Sequence, residues 1–546
     1  MTEGPTSHPI SRPVGRTEWL LVALSTVTAS IGASVWSWRN HAMLNYGDAV
    51  AHLHIARRVI DAHETGLSQL GSVWLPLPHL LMIPFVAVYA WWANGIAGLI
   101  PSSLAYLACG LGLYRLLRNW LGSSAAAVAL AFFALNPNLL YLQTTAMTEP
   151  LFLCEMIWLS VWLVEWRAAV EQDPNRANRL LGWVTLVLVA AVFTRYDGWV
   201  LTFLAWVSVG VVQMRKDTLR SGRFWTLSAI VVAAPLIWLA YNALIFGDWL
   251  DFARGPYSAA AIEARTATGS GPPHPGWHSP WVSLLFFVKC GQMDAAPESW
   301  GRFLLIISVL GTLWAWFTAR RKAFLWTLFL WFPIPFYAYS VSFGSVPIFL
   351  PVWWPHSWYN TRYGMELLPA LAVGVAFATQ FVIGAAREFK PLLVRYAVAV
   401  LLVIVVLNDW AVLRDRPLTY IEGTKNIASR QAFEEEIPPV LRSLVARHPD
   451  APVLMETSVY PNLVAFTGIP LRQTINESDR GYFASALANP AASAAVVLAF
   501  EGDQVDKAVK AHPQGLTLVR RFQAPGQNPG VVYVSDTPPI SRDSGR

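Results

Sequence analysis

The sequence predicts a polytopic membrane protein with an all-α membrane domain of about eleven transmembrane helices and a small C-terminal α/β domain. Of its 546 residues, 55% are hydrophobic and only 14% are charged. A soluble protein carries about a quarter charged residues. The net charge of +6 indicates no nucleic-acid partner, because most basic residues lie between apolar runs, where they report orientation.

Apolar runs of spanning length recur along the first 412 residues. A further run at 75–94 is interrupted by Pro76, Pro78 and Pro84, so we interpret it as a juxtamembrane or re-entrant helix. The predicted spans are 19–36, 101–118, 123–141, 147–166, 180–194, 198–213, 224–246, 303–319, 324–342, 363–385 and 396–412.

Basic clusters set the predicted orientation, because cytoplasmic loops are enriched in Lys and Arg. If 75–94 crossed the membrane, Arg115 and Arg118 would lie outside and every later cluster would invert. With 75–94 outside the bilayer, all clusters face the cytoplasm and the C-terminus lies outside. The clusters are Arg12/Arg16, Arg115/Arg118, Arg167/Arg176/Arg179, Arg215/Lys216/Arg220/Arg223, Arg320/Arg321/Lys322 and Arg387/Lys390/Arg395.

This orientation divides the chain into a cytoplasmic tail (1–16), a membrane domain (17–412) and an extracytoplasmic α/β domain (413–546). A first outer loop at 37–100 and a long outer loop at 247–302 lie on the side of the α/β domain. The predicted elements of that domain are a helix at 430–447 and strands at 452–458, 463–469, 494–500 and 531–536.

The first outer loop concentrates charge beside the bilayer, where ionisable groups are functional candidates. Asp48 and His52 are four residues apart and share one face of a helix. We interpret Asp48 as a carboxylate general base with His52 as a nearby orienting imidazole. The structural alternative is a solvated interfacial helix with ordinary charges.

Glu149 precedes Pro150 at the outer end of a predicted span. Favourable placement at a helix N-terminus explains this acid completely. Its predicted position on the same side as Asp48 makes it a second candidate catalytic acid.

Arg362 and Tyr363 stand at the outer start of another span, where a lone cation needs an anionic partner. A guanidinium binds phosphate through paired hydrogen bonds, so a phosphate is the expected ligand. The alternative is an Arg that snorkels to the lipid headgroups. Arg195 is a further candidate phosphate contact, although pairing with Asp197 would also explain it.

Arg254 and Tyr257 open the long outer loop and are candidate substrate contacts in the same cavity, as are His52 and His79 of the first outer loop. Asp48, His52, His79 and Glu149 offer ligands for a divalent metal, but no spacing demands one, so we expect none. The chain also lacks a phosphate-binding glycine loop, a GxSxG motif and a dinucleotide fingerprint. A nucleotide-driven pump is therefore disfavoured, whereas a membrane enzyme with a lipid-borne activated substrate needs none of these motifs.

The chain resembles the GT-C superfamily of integral membrane glycosyltransferases, in particular the bacterial protein O-mannosyltransferase and lipid A aminoarabinose transferase families. The resemblance rests on Asp48 in the first outer loop, TEP at 148–150 and TRYGMELLP at 361–369, and it covers roughly 17–412. Many relatives carry two adjacent acids in this loop, whereas here Gly47 precedes Asp48. A second acid would then be Glu149 or Asp61.

The resemblance implies an inverting hexosyl- or pentosyltransferase of the cell envelope, located in the inner membrane. It would move a sugar from a polyprenyl-phosphate donor to a hydroxyl of a glycan, lipid or protein, without a cofactor. Asp48 would take the proton, and Arg362, aided by Arg195 or Arg254, would stabilise the leaving phosphate. The alternative is a non-catalytic protein that binds or transports lipid-linked sugars or glycans. A third reading, a structural partner in an envelope complex, predicts dependence on 413–546 but not on Asp48.

Overall fold

The computed structural model describes residues 14–216, 222–266, 272–318 and 322–537. It confirms the predicted fold class, since a large helical part is followed by one small sheet. The predicted tail 1–16 lies almost wholly outside the described residues, as do Arg12, Arg220, Arg320 and Arg321.

The helical part contains eighteen α-helices within the described residues. They are α1 (Arg16–Arg39), α2 (Gly47–Arg58), α3 (Leu77–Val86), α4 (Tyr89–Asn94), α5 (Ile96–Leu121), α6 (Ser123–Ala134), α7 (Pro137–Leu142), α8 (Glu149–Ala169), α9 (Pro174–Thr194), α10 (Asp197–Arg215), α11 (Gly222–Phe246), α12 (Asp251–Arg254), α13 (Ala259–Thr266), α14 (Pro280–Ala295), α15 (Glu298–Thr318), α16 (Pro333–Phe343), α17 (Leu368–Phe389) and α18 (Pro391–Arg414). Short 3-10 helices occur at Ala42–Leu44, Leu67–Leu70, Lys322–Trp331 and Thr361–Leu367.

The predicted spans coincide with helical segments, and nine helices of the described chain are long and apolar enough to cross a membrane. Two predicted spans are interrupted. The run 123–141 breaks between α6 and α7, where the Asn136 side chain accepts hydrogen bonds from the backbone N–H groups that open α7. The run 324–342 begins as the 3-10 helix Lys322–Trp331 and continues as α16. These helices make the chain an integral membrane protein.

The run 75–94 forms two short helices, α3 with 10 residues and α4 with 6. A 10-residue α-helix is only about 15 Å long, half the thickness of the hydrocarbon core. Neither helix is therefore long enough to cross a bilayer, which agrees with the juxtamembrane interpretation.

The C-terminal part adds six helices and five strands in the described residues. The sheet has the order β2-β1-β3-β5-β4, parallel from β2 to β3 and antiparallel from β3 to β4. The elements are α19 (Leu418–Ala428), α20 (Gln431–Val445), β1 (Val453–Leu454), α21 (Asn462–Thr467), β2 (Thr474–Ile475), α22 (Arg480–Ala488), α23 (Pro490–Ser493), β3 (Val496–Phe500), α24 (Gln504–Ala511), β4 (Leu516–Phe522) and β5 (Gly530–Ser535).

The predicted helix at 430–447 and strands at 452–458, 494–500 and 531–536 are present, but the predicted strand at 463–469 is wrong. Those residues form α21, which ends at Gly468 with a positive φ of 84°. A short apolar run that is buried on all sides has no periodicity to separate helix from strand, which explains the error.

Asp61 fastens the C-terminal domain to the first outer loop. It forms ion pairs with Arg57 (2.7 Å) and Arg472 (3.1 Å), and it accepts the backbone N–H of Leu471. Arg472 and Leu471 belong to the C-terminal part, whereas Arg57 is on α2. The anchoring contact fixes where the domain lies over the helical part.

Candidate active site

A cavity of about 1560 Å³ lies between α2, the ends of several membrane helices and the C-terminal domain. Most of the predicted site residues line it, including Asp48, Glu149, Arg195, Arg362 and Tyr363. Residues far apart in the sequence therefore face one space, as the first-loop and late-span motifs predict.

Arg362 forms the centre of the site. Its Nη2 donates to Asp48 Oδ2 at 2.6 Å, its Nη1 to Glu422 Oε1 at 2.8 Å and its Nε to Glu149 Oε1 at 3.1 Å. Arg362 is not the lone cation expected from the sequence, because it has three carboxylate partners within the protein. An arginine has five N–H bonds, and these contacts use three of them.

Arg195 shares Glu149 with Arg362, through a contact of 3.3 Å between its Nη1 and Glu149 Oε1. Arg195 also ion-pairs with Asp197 at 3.0 Å, as predicted, and with Glu366 at 3.2 Å. The Tyr363 ring lies near both guanidinium carbons, 5.2 Å from that of Arg195 and 5.0 Å from that of Arg362. Five carboxylates thus surround two guanidinium groups.

Asp48 differs from the other acids of this cluster in its exposure. The Asp48 side chain is 44% exposed, whereas those of Glu149 and Glu422 are 1% and 5% exposed. Only one Asp48 oxygen accepts from Arg362, and the other makes no hydrogen bond with the part of the chain that the structure describes, so it can accept a proton from a ligand in the cavity. The geometry makes Asp48 the acid that a substrate can reach.

Local structure explains how the site residues are presented. Asp48 lies in the first turn of α2, and Glu149 opens α8 just before Pro150, where an acid is favourable. Arg362 lies on the 3-10 helix Thr361–Leu367, which follows Asn360 in the left-handed region with φ of 55°. The Glu422 carboxylate accepts from the Asn360 backbone N–H at 2.8 Å and so holds this turn.

His52 lines the cavity one helical turn after Asp48, but its hydrogen-bond partner is His79. The two rings meet at 2.8 Å between His52 Nδ1 and His79 Nε2, and Trp74 packs on the His52 ring at 4.7 Å. Burial lowers the pKa of His52 to about 4, despite the opposing effect of the Asp48 carboxylate. His52 is therefore neutral near pH 7.

The remaining predicted residues separate into two groups. Tyr257 lines the cavity, whereas Arg254 is not among the lining residues and pairs with Asp248 at 2.9 Å. Asp61, the alternative second acid, is occupied in the domain contact described above. Of the two candidate second acids, only Glu149 is close to Asp48.

Two acids of the cluster, Glu422 and Glu366, were not predicted as site residues from the sequence. Glu422 is on α19, just after the predicted domain boundary at 412, and an acid on a helix outside the membrane gives no signal of its own. Glu366 stands within the quoted TRYGMELLP motif, and its position inside the predicted span 363–385 was the available signal, because an acid in a span usually has a partner.

The described residues contain no group of three or more His, Cys, Asp or Glu side chains arranged to hold a metal ion. Asp48, His52, His79 and Glu149, the ligands considered from the sequence, instead pair with arginines or with each other.

Comparison of sequences found one curated relative, and no family model matches the chain. The chain is 23% identical over 312 residues to undecaprenyl phosphate-alpha-4-amino-4-deoxy-L-arabinose arabinosyl transferase 2 of Proteus mirabilis (strain HI4320). The match covers 54% of this chain and 52% of the relative. The chain therefore spans about half the length of the curated relative it matches.

Comparison of structures found likeness over nearly the whole chain. ArnT from Cupriavidus metallidurans bound to undecaprenyl phosphate has a TM-score of 0.55 at 14% identity, covering 95% of this chain and 98% of ArnT. The same enzyme in the apo state has a TM-score of 0.52 at 13% identity, covering 94% and 98%. The chain therefore shares the fold of ArnT. The GT-C resemblance predicted from short motifs is thus confirmed at the level of the fold.

Proposed function

We propose that this GT-C protein is an inverting glycosyltransferase that moves a sugar from a polyprenyl-phosphate donor to an acceptor hydroxyl on the outer face of the membrane. The observation that carries the proposal is the exposed Asp48 carboxylate held by the buried Arg362 guanidinium inside a large cavity. The likeness to an arabinosyl transferase and to ArnT with bound undecaprenyl phosphate supports the same class of donor.

In the proposed reaction, Asp48 accepts the proton of the acceptor hydroxyl as its oxygen attacks the anomeric carbon. The bond between that carbon and the phosphate oxygen breaks, and the polyprenyl phosphate leaves with the electron pair. Attack opposite the leaving group inverts the anomeric centre. The proton ends on Asp48, and the products are the glycosylated acceptor and a polyprenyl phosphate.

Arg362 is the better candidate of the two clustered arginines for contact with the leaving phosphate. Its two remaining N–H bonds can donate to phosphate oxygens while the other three hold carboxylates. The N–H bonds of Arg195 are directed at Thr148, Glu149, Asp197, Tyr337 and Glu366.

Glu149 then serves as a positioning residue rather than as a second base. Its side chain is 1% exposed, and its Oε1 binds both Arg362 and Arg195. Fixing both guanidinium groups before the donor arrives reduces the reorganisation needed in the transition state.

The outer-face location rests on the sidedness of the basic clusters and on the first outer loop, which supplies Asp48. The C-terminal domain also lines the cavity, through residues that include Ser458 and Tyr460. An acceptor that approaches from the aqueous side would pass this domain.

Envelope glycans and glycolipids of cells that express wild type or Asp48→Asn, at matched protein levels, test the proposal by mass spectrometry. Asp248→Asn is a matched control, because Asp248 is similarly exposed (37%) and does not line the cavity. We expect a specific sugar to be missing in Asp48→Asn and in a null strain, but present with Asp248→Asn. A normal profile in Asp48→Asn beside an altered null strain would favour a binding or transport protein.

A further inference from the structure

Arg58 is a cation of the cavity wall that the proposed chemistry does not use. It is the last residue of α2, at the opposite end from Asp48. Its Nη1 donates to Ser478 Oγ at 3.0 Å and its Nη2 to the Gln69 carbonyl at 3.1 Å. Both partners are neutral, and within the described chain no carboxylate lies at ion-pair distance from Arg58.

The acid to consider, Glu477, makes its side-chain hydrogen bonds with another residue. Its two oxygens accept from the backbone N–H of Thr457 at 2.9 Å and from the Thr457 hydroxyl at 3.0 Å. The Arg58 Nε is buried and has no hydrogen-bond partner among the described residues. The guanidinium therefore has donors that no protein group uses.

The buried environment of Arg58 makes the charge on its guanidinium energetically unfavourable. Burial lowers the pKa of Arg58, although the Glu477 and Asp479 charges oppose the effect. A buried cation without a carboxylate at ion-pair distance is unfavourable, and an anionic ligand in contact with it would add to the compensation that Glu477 and Asp479 give. Because part of Arg58 remains open to the cavity, such a ligand can reach it.

A second cation lies on the same side of the cavity. Arg480 donates its Nη1 to the Ile245 carbonyl at 2.6 Å and packs over the Phe246 ring, and no carboxylate of the described chain is at ion-pair distance. Arg58 and Arg480 therefore place two cations at this end of the cavity, where Glu477 is also a lining residue.

The length of α2 separates this end from the reaction centre. Asp48 and Arg58 are ten residues apart, which is about 15 Å along a helix axis. The donor phosphate is bonded to the reacting carbon, so hydrogen-bond and near-attack distances place it on the order of 7 Å from the base. An anion bound at Arg58 is therefore too distant to be the leaving phosphate.

We propose that Arg58 binds an anionic group of the acceptor, a phosphate or a carboxylate. That group would lie roughly 10–15 Å from the hydroxyl that receives the sugar, given the reach of an arginine side chain from α2. The assignment to the acceptor rests on the proposed transferase function. The anion site itself rests only on the unmatched cation and its opening to the cavity.

Titration of the full-length protein in neutral detergent tests the site. The protein is first saturated with undecaprenyl phosphate, and inorganic phosphate is then titrated as the probe. We expect wild type to bind this second phosphate and Arg58→Gln to bind it roughly tenfold to hundredfold more weakly, the range expected for lost charge-assisted hydrogen bonds. Arg58→Lys should keep most of the affinity. Arg254→Gln is the matched control and should behave as wild type.

Three results would overturn the proposal. The first is a wild type that binds no second phosphate, and the second is an Arg58→Gln variant that binds it normally. The third is an Arg58→Gln variant that loses undecaprenyl phosphate instead, which would make Arg58 a donor contact. If wild type fails to bind undecaprenyl phosphate but binds inorganic phosphate through Arg58, the donor proposal fails while the anion site stands.

Discussion

The two ends of α2 place arginines in opposite environments within one cavity. At the Asp48 end, Arg362 is surrounded by carboxylates that hold it in three directions. At the other end, Arg58 has only neutral oxygen partners. The difference indicates that the protein itself supplies carboxylate partners for Arg362, where geometry must be fixed, and supplies Arg58 with neutral hydrogen-bond partners only, where an anionic ligand can bind.

Loss of Arg362 should have the largest effect on stability. Arg362→Gln leaves Glu422 buried without its cation and leaves Glu149 paired with Arg195 alone, and breaking a buried ion pair costs about 3–5 kcal/mol. We expect a large fall in the melting temperature of the purified protein and no activity. Arg254→Gln, whose partner is exposed, should melt within about 0.5 kcal/mol of wild type. Equal melting of the two variants would show that the acidic cluster does not depend on Arg362.

A smaller effect on the stability of the protein is expected from the neutral His52 beside Asp48. Because its pKa is lowered to about 4, the unfolded chain binds a proton between pH 6.5 and 4 that the folded protein does not. Stability should therefore fall as pH falls through this window, by about 3 kcal/mol from His52 alone.

Melting curves of wild type and His52→Gln between pH 7 and 4 measure this contribution. The difference in stability between the two proteins should shift in favour of the variant as pH falls. A stability difference between the two proteins that stays constant over the window would mean that His52 titrates normally. The Asp48 end of α2 would then be more accessible to water than the structure indicates.

Replacement of Arg58 should have the smallest effect on stability. Arg58→Gln removes a buried charge that has no carboxylate at ion-pair distance in the described residues, together with two hydrogen bonds to neutral groups, and these terms oppose each other. We expect a change within about 1 kcal/mol. A loss as large as that of Arg362→Gln would show that Arg58 is structural, and the contrast between the two ends of α2 would disappear.

The helical part could be predicted because long apolar runs carry their signal locally. At 123–141 and at 75–94 the predicted helical runs are present, and the structure differs from the prediction only in the positions at which the chain breaks. The C-terminal sheet was less predictable, since β1 and β2 are two residues long and α21 is an apolar run without periodicity. Short elements that owe their form to tertiary packing leave little trace in the sequence.

The site was predictable where a charge interrupts an apolar context. Glu149 and Arg362 stood out in that way, Asp48 stood out because the first outer loop concentrates charge beside the bilayer, and the structure brings the three together. Glu422 did not stand out because it lies on a polar helix outside the membrane domain, and Arg58 did not because its sequence position on α2 does not show that its hydrogen-bond partners are neutral. Their importance follows from what they contact, or fail to contact, after folding.

The most direct test of Asp48 as the general base separates donor binding from turnover in purified protein. Binding of undecaprenyl phosphate and transfer from a polyprenyl-phosphate sugar would be measured for wild type, Asp48→Asn and Asp248→Asn. We expect Asp48→Asn to bind the lipid within about threefold of wild type but to lose at least roughly a hundredfold in kcat, because the general base is absent. Asp248→Asn should retain both. An Asp48→Asn protein that turns over normally would contradict the assignment of Asp48 as the base.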